Sequence, residues 1–406
     1  MRLNVHDYSG HPFQAQLSRA LAARGHEVLH EFSTQYVTGH GRLDVTPADP
    51  PTLRIEGVCA AAPLKKYDPL GRSRFELSYA RAWQRRLDRT RYDVVVACNV
   101  PLFALAAMRR HFARRRQPWV LWHQDVYSLG VGAEVARRLP GPIAGPIRHR
   151  LCGIEQKQVR GADRVVAIGD GFVQQYEQWG VCTDHVEVIP NWAPLDEVAP
   201  GERDNAWARA HSLPEDGLRL VYAGTLGRKH NPLLLLELLD AIRYRGVDAT
   251  LVVCSEGVGA DDLAAAAAGR PDVRILGYQP AERFADVLAS ADAVVALLEP
   301  DAAAFSVPSK VLSYLSAGRP IIALVPSGNP CADDVHCAGG FVGAPTAAGA
   351  RAAAEWLAET AADPYALERL GKLARGLAED RFDIRAVTDR FEDILAACCR
   401  QGRACA

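Results

Sequence analysis

Short apolar runs alternate along this chain with longer stretches in which apolar residues recur every three or four positions. That alternation predicts βαβ units, an α/β fold and mostly parallel sheets. Residues 3–5 read as the first strand. Pro12 stands where a first helical turn begins, and Phe13, Leu17, Ala20 and Leu21 share one face at helical spacing. Gly25 ends that helix, and residues 27–29 start the next strand. Further strands are predicted at 94–97, 119–122, 164–168 and 186–189. A second series opens at 218–224 and continues at 250–253, 273–276, 293–297 and 320–324. Residues 191–217, rich in Pro, Asp and Glu, read as a linker with a lead-in helix. The alanine-rich stretch 263–268 reads as helix, and 381–399 as one amphipathic helix. The expected organisation is two Rossmann-like domains, 1–190 and 218–380, joined by 191–217, with a C-terminal helix and tail over 381–406. In open α/β sheets ligands bind beyond the carboxyl ends of the strands, so a cleft there is the expected site.

Composition fits this picture. With 406 residues the chain is too long for one ordinary core, and 49% apolar with 23% charged residues is a globular balance. No run approaches the roughly 18 apolar residues of a spanning helix, and the first residues lack the apolar core of a signal peptide. The expectation is a cytoplasmic protein. Ten cysteines include no CxxC pair, which argues against a zinc or redox motif. Cys98 and Cys254 lie in or beside apolar runs and read as small core hydrophobes. The net charge of -1 hides an asymmetry: 26 Lys and Arg against 18 Asp and Glu up to Pro190, then 21 against 30. The two halves are expected to meet different partners.

Two segments of the second half carry phosphate-binding chemistry. In the first, Pro308 and Ser309 open a predicted helix that Gly318 closes, with Ser309 as N-cap and Lys310 in the first turn. A first-turn lysine opposes the helix dipole; an anion held by the free N–H groups and the ammonium accounts for it, and a plain helix start with a solvated lysine is the alternative. The second segment is the loop 222–232, where Gly224, Thr225 and Gly227 precede Arg228 and Lys229 at a strand end. It reads as a βα loop facing phosphate, with a surface basic pair as the alternative.

Ala223-Gly224 through Pro232, Gly277-Tyr278-Gln279-Pro280, Val307-Pro308-Ser309-Lys310 and Ala317-Gly318-Arg319-Pro320 together resemble the family-4 retaining glycosyltransferases. Within them the chain looks most like bacterial cell-surface polysaccharide enzymes of the colanic-acid type. Arg24-Gly25-His26-Glu27-Val28 and Ile189-Pro190-Asn191-Trp192 match as well, so the resemblance covers nearly the whole chain. It implies a GT-B fold whose C-terminal helix returns to the N-terminal domain. It also implies hexosyl transfer from a nucleotide-diphosphate sugar, UDP-linked by preference, with retention. The acceptor is expected to be a lipid-linked saccharide or a small molecule. By the resemblance Arg228 and Lys229 bind the diphosphate and residues 307–310 approach the diphosphate and sugar. Gly277 and Tyr278 lie by the base, and Gly10, Asn191, Gly224, Thr225 and Ser313 complete the donor set. Two departures stand out. Ser313 occupies the place of a ribose-binding glutamate, whose companion would fall at Phe305. The loop Ser9-Gly10-His11-Pro12 has one glycine where the family has two. A nucleotide-sugar 2-epimerase and a non-catalytic nucleotide-sugar-binding subunit are the competing readings.

His123 and Asp125 follow a predicted strand, where the family places a His or Asp near the reacting sugar, and His11 is a further candidate for acid–base work. A loop histidine with only a structural bond is the alternative for His123. No enzyme nucleophile is expected, because the leaving diphosphate can take the acceptor proton; no cofactor is expected beside the nucleotide-sugar co-substrate, and no DxD or carboxylate triplet calls for a metal. The basic stretch between Arg109 and Arg116, with interleaved aromatics, fits contact with the anionic inner face of a membrane. An exposed helix end is the alternative, and no nucleic-acid motif accompanies it.

Overall fold

The computed structural model describes residues 1–36, 41–64, 68–227, 230–300, 309–363 and 365–404. They form two compact units: residues 1–190 with the chain from Ile384 onward, and residues 191–383. Among the described residues no helix is long and apolar enough to cross a membrane.

The first unit is built on seven parallel strands. They are β1 (Arg2–Asp7), β2 (Glu27–Ser33), β3 (Leu53–Val58), β4 (Val94–Cys98), β5 (Trp119–His123), β6 (Arg164–Ala167) and β7 (Val186–Val188). Their order is β3-β2-β1-β4-β5-β6-β7. Every residue of β4 and β5 is buried, as expected of central parallel strands covered on both faces. The edge strand β3 carries no such signal, because only Leu53 and Val58 of its six residues are buried. Pro12 opens the helix Pro12–Ala23, and Gly25, at φ +87°, closes it in the left-handed region.

The sequence predicts one amphipathic helix over 381–399. The preceding helix ends at Arg381, and the expected one runs unbroken over Ile384–Ala404. The latter buries Val387, Phe391, Ile394, Leu395 and Cys398, a stripe at helical spacing, and sets Phe391 edge-on to Trp122 at 4.8 Å. Glu392 ties it to the loop after the first helix by accepting from His26 Nε2 at 2.6 Å and from Arg24. Partial burial opposes the charge on Glu392, yet the bonds from His26 and Arg24 hold its pKa below the usual glutamate range. A depressed carboxylate stabilises the fold above its unfolded pKa and loses that contribution as pH falls through the folded value. Glu392→Gln is therefore expected to cost about 1–2 kcal/mol at neutral pH. In melts across pH, the gap from wild type should close below about pH 4.

The second unit holds six parallel strands: β8 (Leu218–Ala223), β9 (Ala249–Cys254), β10 (Val273–Leu276), β11 (Ala293–Leu297), β12 (Ile321–Leu324) and β13 (Phe341–Gly343). Their order is β10-β9-β8-β11-β12-β13. β13 escapes a sequence reading because it has three residues, all only partly buried. Residues 191–217 pack into this unit. Trp192 and Trp207 are buried, and the buried Arg219 guanidinium donates to Asp204 and to the carbonyls of Arg203 and Ser290. Cys98 and Cys254 are buried at the ends of β4 and β9, and burial pushes the Cys254 thiol up to about 12.

Candidate functional site

Each sheet has one point where the chain order reverses, between β1 and β4 in the first unit and between β8 and β11 in the second. Neighbouring loops diverge there and leave a crevice beyond the strand ends. The polar chemistry of each unit collects at its own reversal point.

In the second unit the helix Lys310–Ser316 crosses that point. Tyr314 fixes it: the buried hydroxyl accepts from the Ala223 N–H at 3.1 Å and faces the carbonyls of Ala223 and Val295, each at 3.2 Å. One side chain thus engages both β8 and β11. Lys310 lies four residues earlier, on the same helix face as Tyr314. Its ammonium sits 3.7 Å from the centroid of the Tyr222 ring and donates to the Tyr222 hydroxyl. Gly224 lies against this side chain. It sits at φ +126°, and a Cβ there would stand 3.4 Å from Lys310 Cε. Burial pushes the Tyr222 phenol well above its usual range, so it remains a neutral partner.

Ser309 corrects an expectation. It holds the N-cap position with helical φ and ψ of −56° and −21°, and its side chain makes no capping bond. The ammonium at this helix start engages Tyr222. Ser313 is partly buried, three residues beyond Lys310. Thr225 Oγ1 and the Tyr278 hydroxyl meet at 2.7 Å, and Tyr278 N donates to Glu256 Oε1 at 3.2 Å. A Cβ on Gly277 would come within 3.2 Å of the same Glu256 oxygen, so the glutamate side chain would have to shift slightly. Asn191 is partly buried at the start of the unit. Arg228, Lys229, Val307 and Pro308 lie outside the described residues.

In the first unit Asp7, at the end of β1, is fully buried at the reversal point. Oδ1 accepts from Ser9 N at 3.2 Å and Asn99 Nδ2 at 2.8 Å, and Oδ2 accepts from His11 N at 2.6 Å. Burial raises the Asp7 pKa against the pull of His11 and these donors. Asp7 thereby shapes the loop that carries Gly10, at φ +71°, and the half-exposed His11. Asn99, beyond β4, takes the left-handed φ of +54° and accepts from the Tyr127 hydroxyl through its carbonyl.

His123 ends β5, buried and with both ring nitrogens engaged: Nδ1 with the Tyr176 hydroxyl at 2.5 Å and Nε2 with Glu155 Oε1 at 3.2 Å. A carboxylate only accepts, so Nε2 carries the proton and Nδ1 accepts from tyrosine. Glu155 also receives the Tyr127 and Ser128 N–H groups, each at 2.9 Å, which caps the helix Tyr127–Arg138. His123 can reach a substrate only by giving up one of these bonds. Asp125, two residues on, is exposed. Sequence reasoning missed Asp7, Asn99 and Glu155. A polar residue at the end of an apolar run was the available signal for Asp7 and Asn99.

Residues 11–192 match the family model described as glycosyl transferase 4-like domain, and residues 217–359 the model described as glycosyl transferases group 1. No curated protein sequence matches the chain. Among solved structures, sucrose-phosphate synthase from Thermosynechococcus elongatus is 17% identical, with 100% of both chains covered and a TM-score of 0.73. Anabaena HepE in complex with UDP is 15% identical over 98% of this chain and 100% of its own, at TM-score 0.67. The catalytic domain of Arabidopsis thaliana starch synthase IV, bound to ADP and acarbose, is 11% identical over 98% and 99%, at 0.68. At such identities the likeness speaks for the fold. Together with the two family matches, which follow one another along the chain, the paired parallel sheets make this protein a member of the GT-B glycosyltransferases, a 4-like domain followed by a group 1 domain.

Proposed function

We propose that this glycosyltransferase takes a UDP-sugar on its second unit and transfers the sugar with retention, without a metal cofactor. The acceptor is a lipid-linked saccharide or a small molecule. The observation that carries the reading is the lysine at the reversal point of the second sheet, with Lys310 laid over Tyr222 beside the open Gly224. A diphosphate there meets a fixed ammonium, and Arg228 and Lys229, at the end of the same loop in sequence, add two cations. The solved HepE relative, which holds UDP, supports the choice of base. In the transfer, the acceptor oxygen bonds to the anomeric carbon as the bond to the diphosphate breaks. The acceptor proton passes to the leaving phosphate oxygen, and the cations stabilise the charge that develops. His11, Asp125 and His123 are the acceptor-side candidates for acid–base work.

The test is a thermal-shift screen of UDP-, GDP- and dTDP-sugars followed by hydrogen exchange with the best ligand. UDP-sugars are expected to raise the melting temperature most, since a ligand of the native state stabilises by mass action. Exchange should slow in residues 222–227 and 309–316. Protection confined to residues 1–190 would overturn the donor assignment. A product of inverted anomeric configuration would overturn retention.

A further inference from the structure

The basic stretch from Arg109 to Arg116 does not expose its aromatics: Phe112 and the following Trp119 are buried in the core of the first unit. Exposed apolar side chains occur elsewhere. The helices Tyr127–Arg138 and Gly141–Gly161 form a hairpin, and Arg148 of the second lies against Gly132 of the first, within 3.4 Å of where a Cβ would stand. Of residues 136–150 only Ala144 is buried. Leu139, Ile143 and Ile147 stand 37%, 53% and 36% exposed, the two isoleucines four residues apart on one helix face. Nothing lies near a Cβ placed on Gly141, Gly145 or Gly153.

The charge around these side chains is mostly positive, although Glu134 pairs with Arg137 and Arg138. Arg137, Arg138, Arg148 and Arg150 are exposed, and Glu134 is the single acid between residues 127 and 154. Arg150 also lines a surface groove of about 740 Å³, shared with Leu77, Phe103 and Ile154 and with the cations Arg110 and Lys157. Apolar side chains ringed by arginine, next to an apolar groove with cationic walls, complement a surface that is anionic outside and apolar beneath. A water-facing helix gains nothing from two isoleucines, whereas a bilayer interface buries both and pairs the arginines with phosphates.

We propose that this hairpin and the adjoining groove dock the first unit on an anionic lipid bilayer. The proposal goes beyond the donor assignment and is independent of it. If the enzyme takes a lipid-linked acceptor, docking brings the first unit to that acceptor.

Flotation with phosphatidylcholine vesicles, with and without about 30% phosphatidylglycerol, tests it. The full chain should float with the anionic vesicles at about 0.05 M salt and far less at about 0.5 M. Ile143→Glu/Ile147→Glu and Arg148→Glu/Arg150→Glu should each lower the bound fraction on the order of tenfold. All four side chains are exposed, so the melting temperature should hold, and the UDP-sugar thermal shift should not change. That shift separates a failure here from a failure of the donor reading. Absence of flotation at low salt overturns the proposal, as does flotation that both variants retain. A third contrary result is a dimer in sedimentation that the isoleucine variant splits, which would mean that a second copy covers this face.

Discussion

Lys310→Ala should raise the donor KM or nucleotide Kd about tenfold to a hundredfold, the loss of one charge-assisted contact worth about 1.5–3 kcal/mol. The side chain is placed by the protein's own contacts: it lies against Gly224, 3.7 Å from the Tyr222 centroid, and donates to its hydroxyl. A prepositioned cation loses little freedom when a phosphate arrives, so most of the contact energy should appear in affinity. The same geometry suggests a rival role, in which Lys310 merely holds Tyr222. Lys310→Met separates the two, since a methionine keeps an apolar stem over the ring and removes the charge. The donor role requires both variants to lose affinity while the methionine variant melts close to wild type. Calorimetry with UDP and a thermal melt provide both numbers. Unchanged UDP affinity in both variants would leave Lys310 a structural lysine.

Ser313→Glu should move affinity the other way and tighten UDP binding by about 1–3 kcal/mol, less the cost of desolvating the new carboxylate. Tyr314 joins this helix to β8 and β11, so the direction in which position 313 faces is settled by the fold. Ser313 is partly buried rather than enclosed, so a longer side chain is not confined to the core. A carboxylate there can accept from both ribose hydroxyls, where a serine hydroxyl makes a single weaker bond. Two features oppose the gain: Lys310, three residues earlier, can pair with the new charge, and Glu256 already brings a carboxylate to the Tyr278 loop. Calorimetry with UDP decides. A loss of more than tenfold would mean that the new charge faces the diphosphate and that the ribose is held elsewhere.

The architecture was largely legible because its signal is local. The central strands are buried on both faces, so residues 94–98 or 293–297 read as unbroken apolar runs. Helix ends announce themselves through Pro12 and Gly25. β3 and β13 were not legible, because edge strands bury few residues and carry weak patterns. The helix expected over 381–399 is present but begins at Ile384, because no strong helix-breaker marks the break at residues 382–383 that separates it from the preceding helix.

By itself the sequence determined two α/β units, their order along the chain and the family-like cationic loops, since periodicity and turn chemistry act over a few residues. Tertiary structure decided which polar groups meet. Asp7 and Asn99 are 92 positions apart and become partners because β1 pairs with β4. Tyr314 matters because its hydroxyl reaches both β8 and β11, and His123 loses its freedom because Tyr176 and Glu155 close on it. Ile143 and Ile147 have the spacing of a core-facing stripe, and only the packing leaves them uncovered. Each of these depends on strand order and side-chain packing, which join residues far apart in sequence, and a local pattern carries no information about such distant neighbours.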